Sequence, residues 1–236
     1  MDDTLLTTDG VSKRFGDIWA LQGVGFSLRR GEVLGLIGPN GSGKTTLLEC
    51  VAGLLPPNAG SVKFRGKPLP YRRRKDALFY LPDGISPWSE LTVKWALKFF
   101  EGMFGEAQVN AADLLGPLNL DGLLRSRIGS LSKGERKRVL LAMGLLTPQP
   151  LLLLYEPFDG LDLRQTRDVM GLLRSHAERG RTLMLSIQQL VDAARVCDRL
   201  VLLSGGRVVG EGSIPELQVQ AKLPEGGLEE IFLALT

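Results

Sequence analysis

An α/β fold built on a mainly parallel sheet is what this 236-residue sequence predicts, and three observations carry that expectation. Near-continuous apolar runs stand at residues 33–37 (VLGLI), at Leu151 to Leu154, and at Thr182 to Ser186. Such runs suit strands covered on both faces. Stretches with helical apolar spacing separate the runs at intervals too long for hairpins, which argues for crossover connections between parallel strands. The first run passes directly into a glycine-rich loop and then into a helical stretch.

Composition narrows the class. Hydrophobic residues make up 44% and charged residues 23%, the balance of a globular chain, and the length suits one domain with a small subdomain. The formal net charge of +3 is mild, so no nucleic-acid partner is expected. Two basic runs, Tyr71 to Lys75 and Lys133 to Arg138, are read as solvated faces. Cys50 and Cys197 make no disulfide framework, and nothing resembles a metal cluster. His176, the only histidine, is expected to face solvent. The start MDDTLLTTDG lacks a basic region followed by an apolar run, and no stretch reaches the roughly 18 apolar residues of a membrane span. The expectation is a reduced, cytosolic protein that meets any membrane through a partner.

The elements follow in order. Val24 to Leu28 leads into a tight turn at 29–32. The run 33–37 ends at Gly38, and Thr45 to Leu55 has an apolar helical stripe of Leu47, Leu48, Val51, Leu54 and Leu55, stopped by Pro56-Pro57. Gly60 to Phe64 and Ala77 to Leu81 are strand candidates. Residues 88–146 read as a mainly helical insertion, strongest at Val93 to Phe104 and Val139 to Leu146. After the run at 151–154 come a helix from Leu163 to Glu178, the run at 182–186, and a short helix from Val191 to Cys197. Arg199 to Ser204 and Arg207 to Gly210 flank Gly205-Gly206 as a hairpin does. Residues 213–236 form a short tail with a small helix. The whole chain, 1–236, reads as one domain.

Residues 38–45 (Gly38-Pro39-Asn40-Gly41-Ser42-Gly43-Lys44-Thr45) fit the phosphate-loop pattern in full, with a strand before and a helix after. Glycines let the backbone approach phosphates without a Cβ clash. Successive amides form an anion nest, and the positive end of the following helix adds to it. Lys44 reaches the β- and γ-phosphates, Thr45 offers a hydroxyl to Mg²⁺, and Thr46 closes the loop. A nucleoside triphosphate, ATP before others, is the expected ligand.

Several separated motifs then resemble, in order, the nucleotide-binding subunit of an ATP-binding cassette (ABC) transporter. The resemblance implies a phosphate-loop NTPase core with an N-terminal antiparallel β subdomain and the helical insertion already noted. Phe15 matches the aromatic residue that stacks on adenine. Leu131-Ser132-Lys133-Gly134-Glu135 resembles the signature motif, in which Ser132 and the Gly134 amide cap the nucleotide held by the opposite subunit. Leu151 to Glu156 resembles the acidic second nucleotide motif, with Glu156 as the residue that polarises the attacking water. Gly160-Leu161-Asp162 resembles the loop that crosses to the other subunit. The tail resembles relatives that drive exporters. The implied partners are a transmembrane permease subunit and a second ATP-binding subunit, identical or different, with the chain peripheral on the cytoplasmic face of the membrane.

Three positions depart from the family pattern. Tyr155 stands where relatives place aspartate in the Mg²⁺ shell, and a phenol is a poor substitute for a carboxylate around a hard cation. Gln188 stands where relatives place a histidine against the γ-phosphate; it still donates a hydrogen bond but takes no proton at neutral pH. Asp83 stands where relatives place glutamine. It is either a compensating Mg²⁺ ligand or a simple surface aspartate. Weakening two parts of the electrostatic machinery implies turnover slowed by about 10²-fold or more, with nucleotide binding kept. An ATPase and a regulatory ATP-binding half-site both fit. A soluble member of the fold acting in repair or translation fits less well, because this chain has neither a long coiled-coil insertion nor a second cassette.

Overall fold

The computed structural model describes residues 3–82, 84–85, 88–104 and 109–236. The chain opens with a long hairpin, β1 (Thr4–Phe15) and β2 (Ile18–Arg29), and then enters β3 (Val33–Ile37). Helix α1 (Lys44–Ala52) follows the glycine-rich loop, and β4 (Ala59–Phe64), β5 (Lys67–Pro68), α2 (Arg74–Ala77) and β6 (Leu78–Leu81) lead to the insertion. There lie α3 (Val93–Phe104), α4 (Ala111–Leu115) and α5 (Lys133–Leu145). The chain ends with β7 (Leu151–Tyr155), α6 (Leu163–Glu178), β8 (Thr182–Ser186), α7 (Leu190–Val196), β9 (Arg199–Ser204), β10 (Arg207–Gly212), α8 (Ile214–Ala221) and α9 (Leu228–Leu235).

Two sheets result. A four-stranded sheet has the order β2-β1-β4-β5 with antiparallel pairing, and a six-stranded sheet has the order β10-β9-β3-β8-β7-β6. In the second, β9-β3-β8-β7-β6 are parallel and only β10 turns back, as an antiparallel hairpin. Every residue of β3 and β8 is buried, as two covered faces require. The period of two sorts their side chains onto two cores. Leu34, Leu36, Leu151, Leu153 and Met184 pack with α1 and the antiparallel sheet. Val33, Leu152, Leu154, Leu183 and Leu185 pack with α3, α5, α6, α7 and α9.

Several sequence expectations are corrected. The Val24–Leu28 strand is the end of a twelve-residue strand, whose partner β1 hides behind polar residues and repeated register shifts. Helix α1 stops at Ala52, because Gly53 adopts φ 78° and its amide caps the last turn. Helix α5 begins at Lys133, six residues before the apolar stretch, because Ser132 and Glu135 form a reciprocal capping box. The tail holds two helices, separated where Lys222 adopts φ 57°.

His176 does not face solvent. It is 4% exposed on the inner face of α6, and burial first, then Arg181 and Arg179, push its pKa down to about 4. The basic runs are not uniformly solvated either. Arg74 is buried and donates to the carbonyls of Cys50 and Val51, closing the C-terminus of α1. Lys137 and Arg138 are buried too; Arg138 donates to the carbonyls of Leu118 and Asn119 at 2.8 and 2.9 Å.

Candidate functional site

The parallel sheet places three loops side by side. Strands β3, β8 and β7 are neighbours, so Gly38, Gln188 and Glu156 all emerge beyond the carboxyl ends of adjacent strands. That edge is where open α/β sheets bind ligands.

The phosphate loop is built by close approach. Gly43 adopts φ 105°, and a Cβ there would lie 2.5 Å from the Ala20 carbonyl oxygen. A Cβ at Gly38 would lie 2.3 Å from the Leu203 carbonyl oxygen. The loop is further tied down by the Gly206 amide, which donates to the Ser42 carbonyl at 3.0 Å, while the Gln22 amide donates to Gly206 at 2.8 Å. Asn40, Gly41 and Thr45 are exposed, and Thr46 is half-buried. Lys44 is 5% exposed. Its ammonium donates to the carbonyls of Gly38 at 2.6 Å and Pro39 at 3.0 Å. Burial lowers its pKa, and the Glu156 carboxylate partly opposes that shift, so the two groups feel each other across the site. Among the described residues the buried Ser42 hydroxyl has no hydrogen-bond partner. A cradle of amides with one ammonium and an unpartnered hydroxyl suits a phosphate chain.

Phe15 sits at the tip of the β1–β2 hairpin, 49% exposed, with the Lys13 ammonium 5.3 Å from its ring centroid. The same hairpin supplies Ala20 against Gly43, so the aromatic tip and the loop are parts of one framework. Trp19 is a second exposed aromatic on this hairpin, with Arg14 over its ring at 5.6 Å.

The reaction edge is different. Glu156 has φ 44°, a sparsely populated conformation for a residue with a side chain. Its amide donates to the Ser186 carbonyl at 2.9 Å. Glu156, Asp159 and the exposed Gln188 line one cleft. Tyr155 is half-buried and packs on the α1 side of the sheet, and its carbonyl accepts from Lys137 at 3.3 Å. Across from it lies Ser186, whose buried hydroxyl has no hydrogen-bond partner among the described residues. Among the described residues no group of three or more His, Cys, Asp or Glu is placed to hold a metal. Asp83 lies outside the described residues.

Ser132 and Gly134 belong to a separate cluster. The Ser132 hydroxyl accepts from the Glu135 amide at 3.3 Å, and the Glu135 carboxylate accepts from the Ser132 amide at 2.8 Å. That pairing holds the Glu135 pKa below the usual carboxylate range. A Cβ at Gly134 would lie 2.3 Å from the Gly160 carbonyl oxygen, so only glycine lets the start of α5 press against this turn. Lys133 completes the contact with an ion pair to Asp159 at 2.5 Å. Sequence spacing carries no signal for that pair, for the Gly206 tie to the loop, or for Asp198, whose carboxylate accepts from the Val33 amide at 2.8 Å and from Arg174 at 2.7 Å.

Comparison with known proteins agrees with this geometry. The family model described as ABC transporter matches residues 21–159. The Nod factor export ATP-binding protein I of Burkholderia orbicola (strain AU 1054) is 35% identical over 221 residues, covering 90% of this chain and 72% of that protein. The protein of the same name from Rhizobium etli (strain ATCC 51251 / DSM 11541 / JCM 21823 / NBRC 15573 / CFN 42) is 33% identical, covering 89% and 68%. A solved ATP binding subunit of an ABC transporter superposes with a TM-score of 0.89 at 28% identity, over 98% of this chain and 99% of that one. An ATP-binding cassette of an ABC transporter in its ADP conformation gives 0.79 at 26% identity, over 98% of each. Members of this family bind ATP and generally hydrolyse it, and they work as dimers with transmembrane partners. This chain belongs to the ABC transporter family, as one of its ATP-binding subunits.

Proposed function

We propose that the subunit binds ATP on residues 38–46, dimerises around it with a second ATP-binding subunit, and couples slow hydrolysis to export by a transmembrane permease. The observation that carries this reading is the convergence of Gly38, Gln188 and Glu156 at one sheet edge, beside the buried Lys44 of the phosphate loop. Lys44 exchanges the carbonyls of Gly38 and Pro39 for phosphate oxygens. Amides of Asn40, Gly41, Ser42, Gly43, Lys44, Thr45 and Thr46 line the phosphate chain, and Phe15 stacks on the adenine. Ser132 and the Gly134 amide cap the γ-phosphate of ATP held by the other subunit. Glu156 holds and orients the attacking water, and the Gln188 amide donates to the γ-phosphate. Thr45 would supply a hydroxyl ligand to Mg²⁺ and Asp83 is the candidate carboxylate; the ion, when bound, would supply neutralising charge to the phosphates.

The 88–146 insertion would face the permease and the 213–236 segment would remain a terminal tail. Support for the first comes from an exposed aromatic face on α3. Trp95 and Phe99 stack with centroids 5.0 Å apart, Trp88 meets both edge-on, and all three rings are 40–43% exposed. Clustered apolar surface of this kind marks an interaction site. The direction of transport follows the relatives, whose names describe export.

Tyr155 favours a second reading, a regulatory half that holds ATP beside a competent partner subunit. Mg²⁺-dependent turnover of the parent and of Glu156→Gln, measured alone and with copurifying partners, separates the two. The hydrolytic reading expects the substitution to lower turnover at least about tenfold. An unchanged rate assigns hydrolysis elsewhere and leaves the regulatory reading.

A further inference from the structure

We propose that Lys133 and Asp159 form a positioning pair that sets Glu156 from the start of α5, linking this chain's two half-sites. The inference rests on the function proposed above, which gives Glu156 to the chain's own nucleotide and the start of α5 to the partner's. Its basis is a short run of contacts. The Lys133 ammonium lies 2.5 Å from the Asp159 carboxylate. The Asp159 amide donates to the Glu156 carbonyl at 3.2 Å, and the Leu161 amide donates to the Phe158 carbonyl at 3.2 Å, so residues 156–161 form one compact turn. At its near end Glu156 is anchored to Ser186 in a left-handed conformation. At its far end Gly160 presses on Gly134. The other acids nearby have different work: Glu135 closes the cap of α5, and Asp162 caps α6 by accepting from the Gln165 amide at 2.8 Å.

The pair is half open to solvent, with side chains 64% and 37% exposed. Ion pairs of that kind contribute little to stability, so stability is not what this contact best explains. It fastens a turn to a helix end. A nucleotide that seats on Ser132 and Gly134 shifts the start of α5, and Lys133 carries that shift through Asp159 to the backbone of Glu156. Coupling then runs through two packed loops with a defined contact between them, as physical coupling requires.

Amide hydrogen exchange on the 236-residue chain tests this, read on peptides covering 155–163, for Lys133→Ala, Asp159→Asn and Lys133→Arg. The expected result is exchange about two- to fivefold faster across 155–163 in the first two, near-parental exchange in Lys133→Arg, and no change in 151–154. Turnover, where the parent shows it, should fall about tenfold with KM within about twofold. Parental exchange at 155–163 in both Lys133→Ala and Asp159→Asn overturns the proposal. So does loosening spread equally over 151–154, or a shift in KM with kcat unchanged. ATP affinity measured on the same samples keeps the two ideas apart: a parent that binds no ATP ends the transporter reading, while the exchange data still judge the pair.

Discussion

The loop from Gly38 to Thr46 and the edge from Tyr155 to Gln188 sit side by side on one sheet, yet they differ in how completely they are furnished. The loop has its glycines at close approach, its buried ammonium and its unpartnered hydroxyl. The edge has its carboxylate at Glu156, but a phenol and an amide at the two positions that would assist it. Binding and turnover draw on different groups. Holding a triphosphate uses many amides and one cation, which gives up the carbonyls of Gly38 and Pro39 for phosphate oxygens. Turnover depends on charge stabilised only in the transition state, where a single missing group removes a large factor. The two regions are therefore expected to respond differently to substitution and to metal.

Repairing the edge gives the largest expected effect on turnover. Tyr155→Asp would supply the carboxylate that relatives place at this position. It should raise Mg²⁺-dependent turnover by about tenfold or more while changing ATP affinity by less than about threefold. A steady-state assay beside an equilibrium titration reads both. A variant that bound ATP tenfold better and turned over no faster would erase the distinction between the regions.

A smaller effect tests the framework beneath them. His176 is buried, with its pKa pushed down to about 4. The unfolded chain binds a proton near the ordinary histidine value of about 6.5, and the folded chain does not. The neutral ring's contribution is therefore fully present above about pH 6.5 and falls as pH drops toward 4. Chemical denaturation of the parent and of His176→Phe at pH 7.5, 6 and 5 should show the parent losing more stability over this range, by about 1–3 kcal/mol. Equal losses would mean that His176 protonates freely in the folded state.

The sequence made the phosphate loop and the buried strands legible because their physics is local. An octet with fixed glycines specifies its own conformation, and three apolar runs identify strands covered on both faces. The resemblance supplied the rest of the order. What stayed hidden depends on contacts between distant residues. Strand β1 is interrupted by Asp9, Gly10 and Lys13, and it reads as a strand only when β2 and β4 lie on either side. His176 has the polarity of a surface residue, and only the packing of α6 shows that it is inside. Arg74 reads as one of four consecutive basic residues, yet it closes the end of α1. Lys133 and Asp159 stand 26 positions apart and meet only because α5 and the turn after β7 converge.

The most direct measurement is an ATP titration of the purified chain with Mg²⁺ and with EDTA, beside Lys44→Ala. Saturable binding is expected in both conditions, with affinities within about tenfold of each other, and a loss of about 10²-fold or more in Lys44→Ala. Binding that disappears in EDTA would place the metal, not the loop, at the centre of recognition. A Lys44→Ala titration that overlays the parent would contradict the account outright.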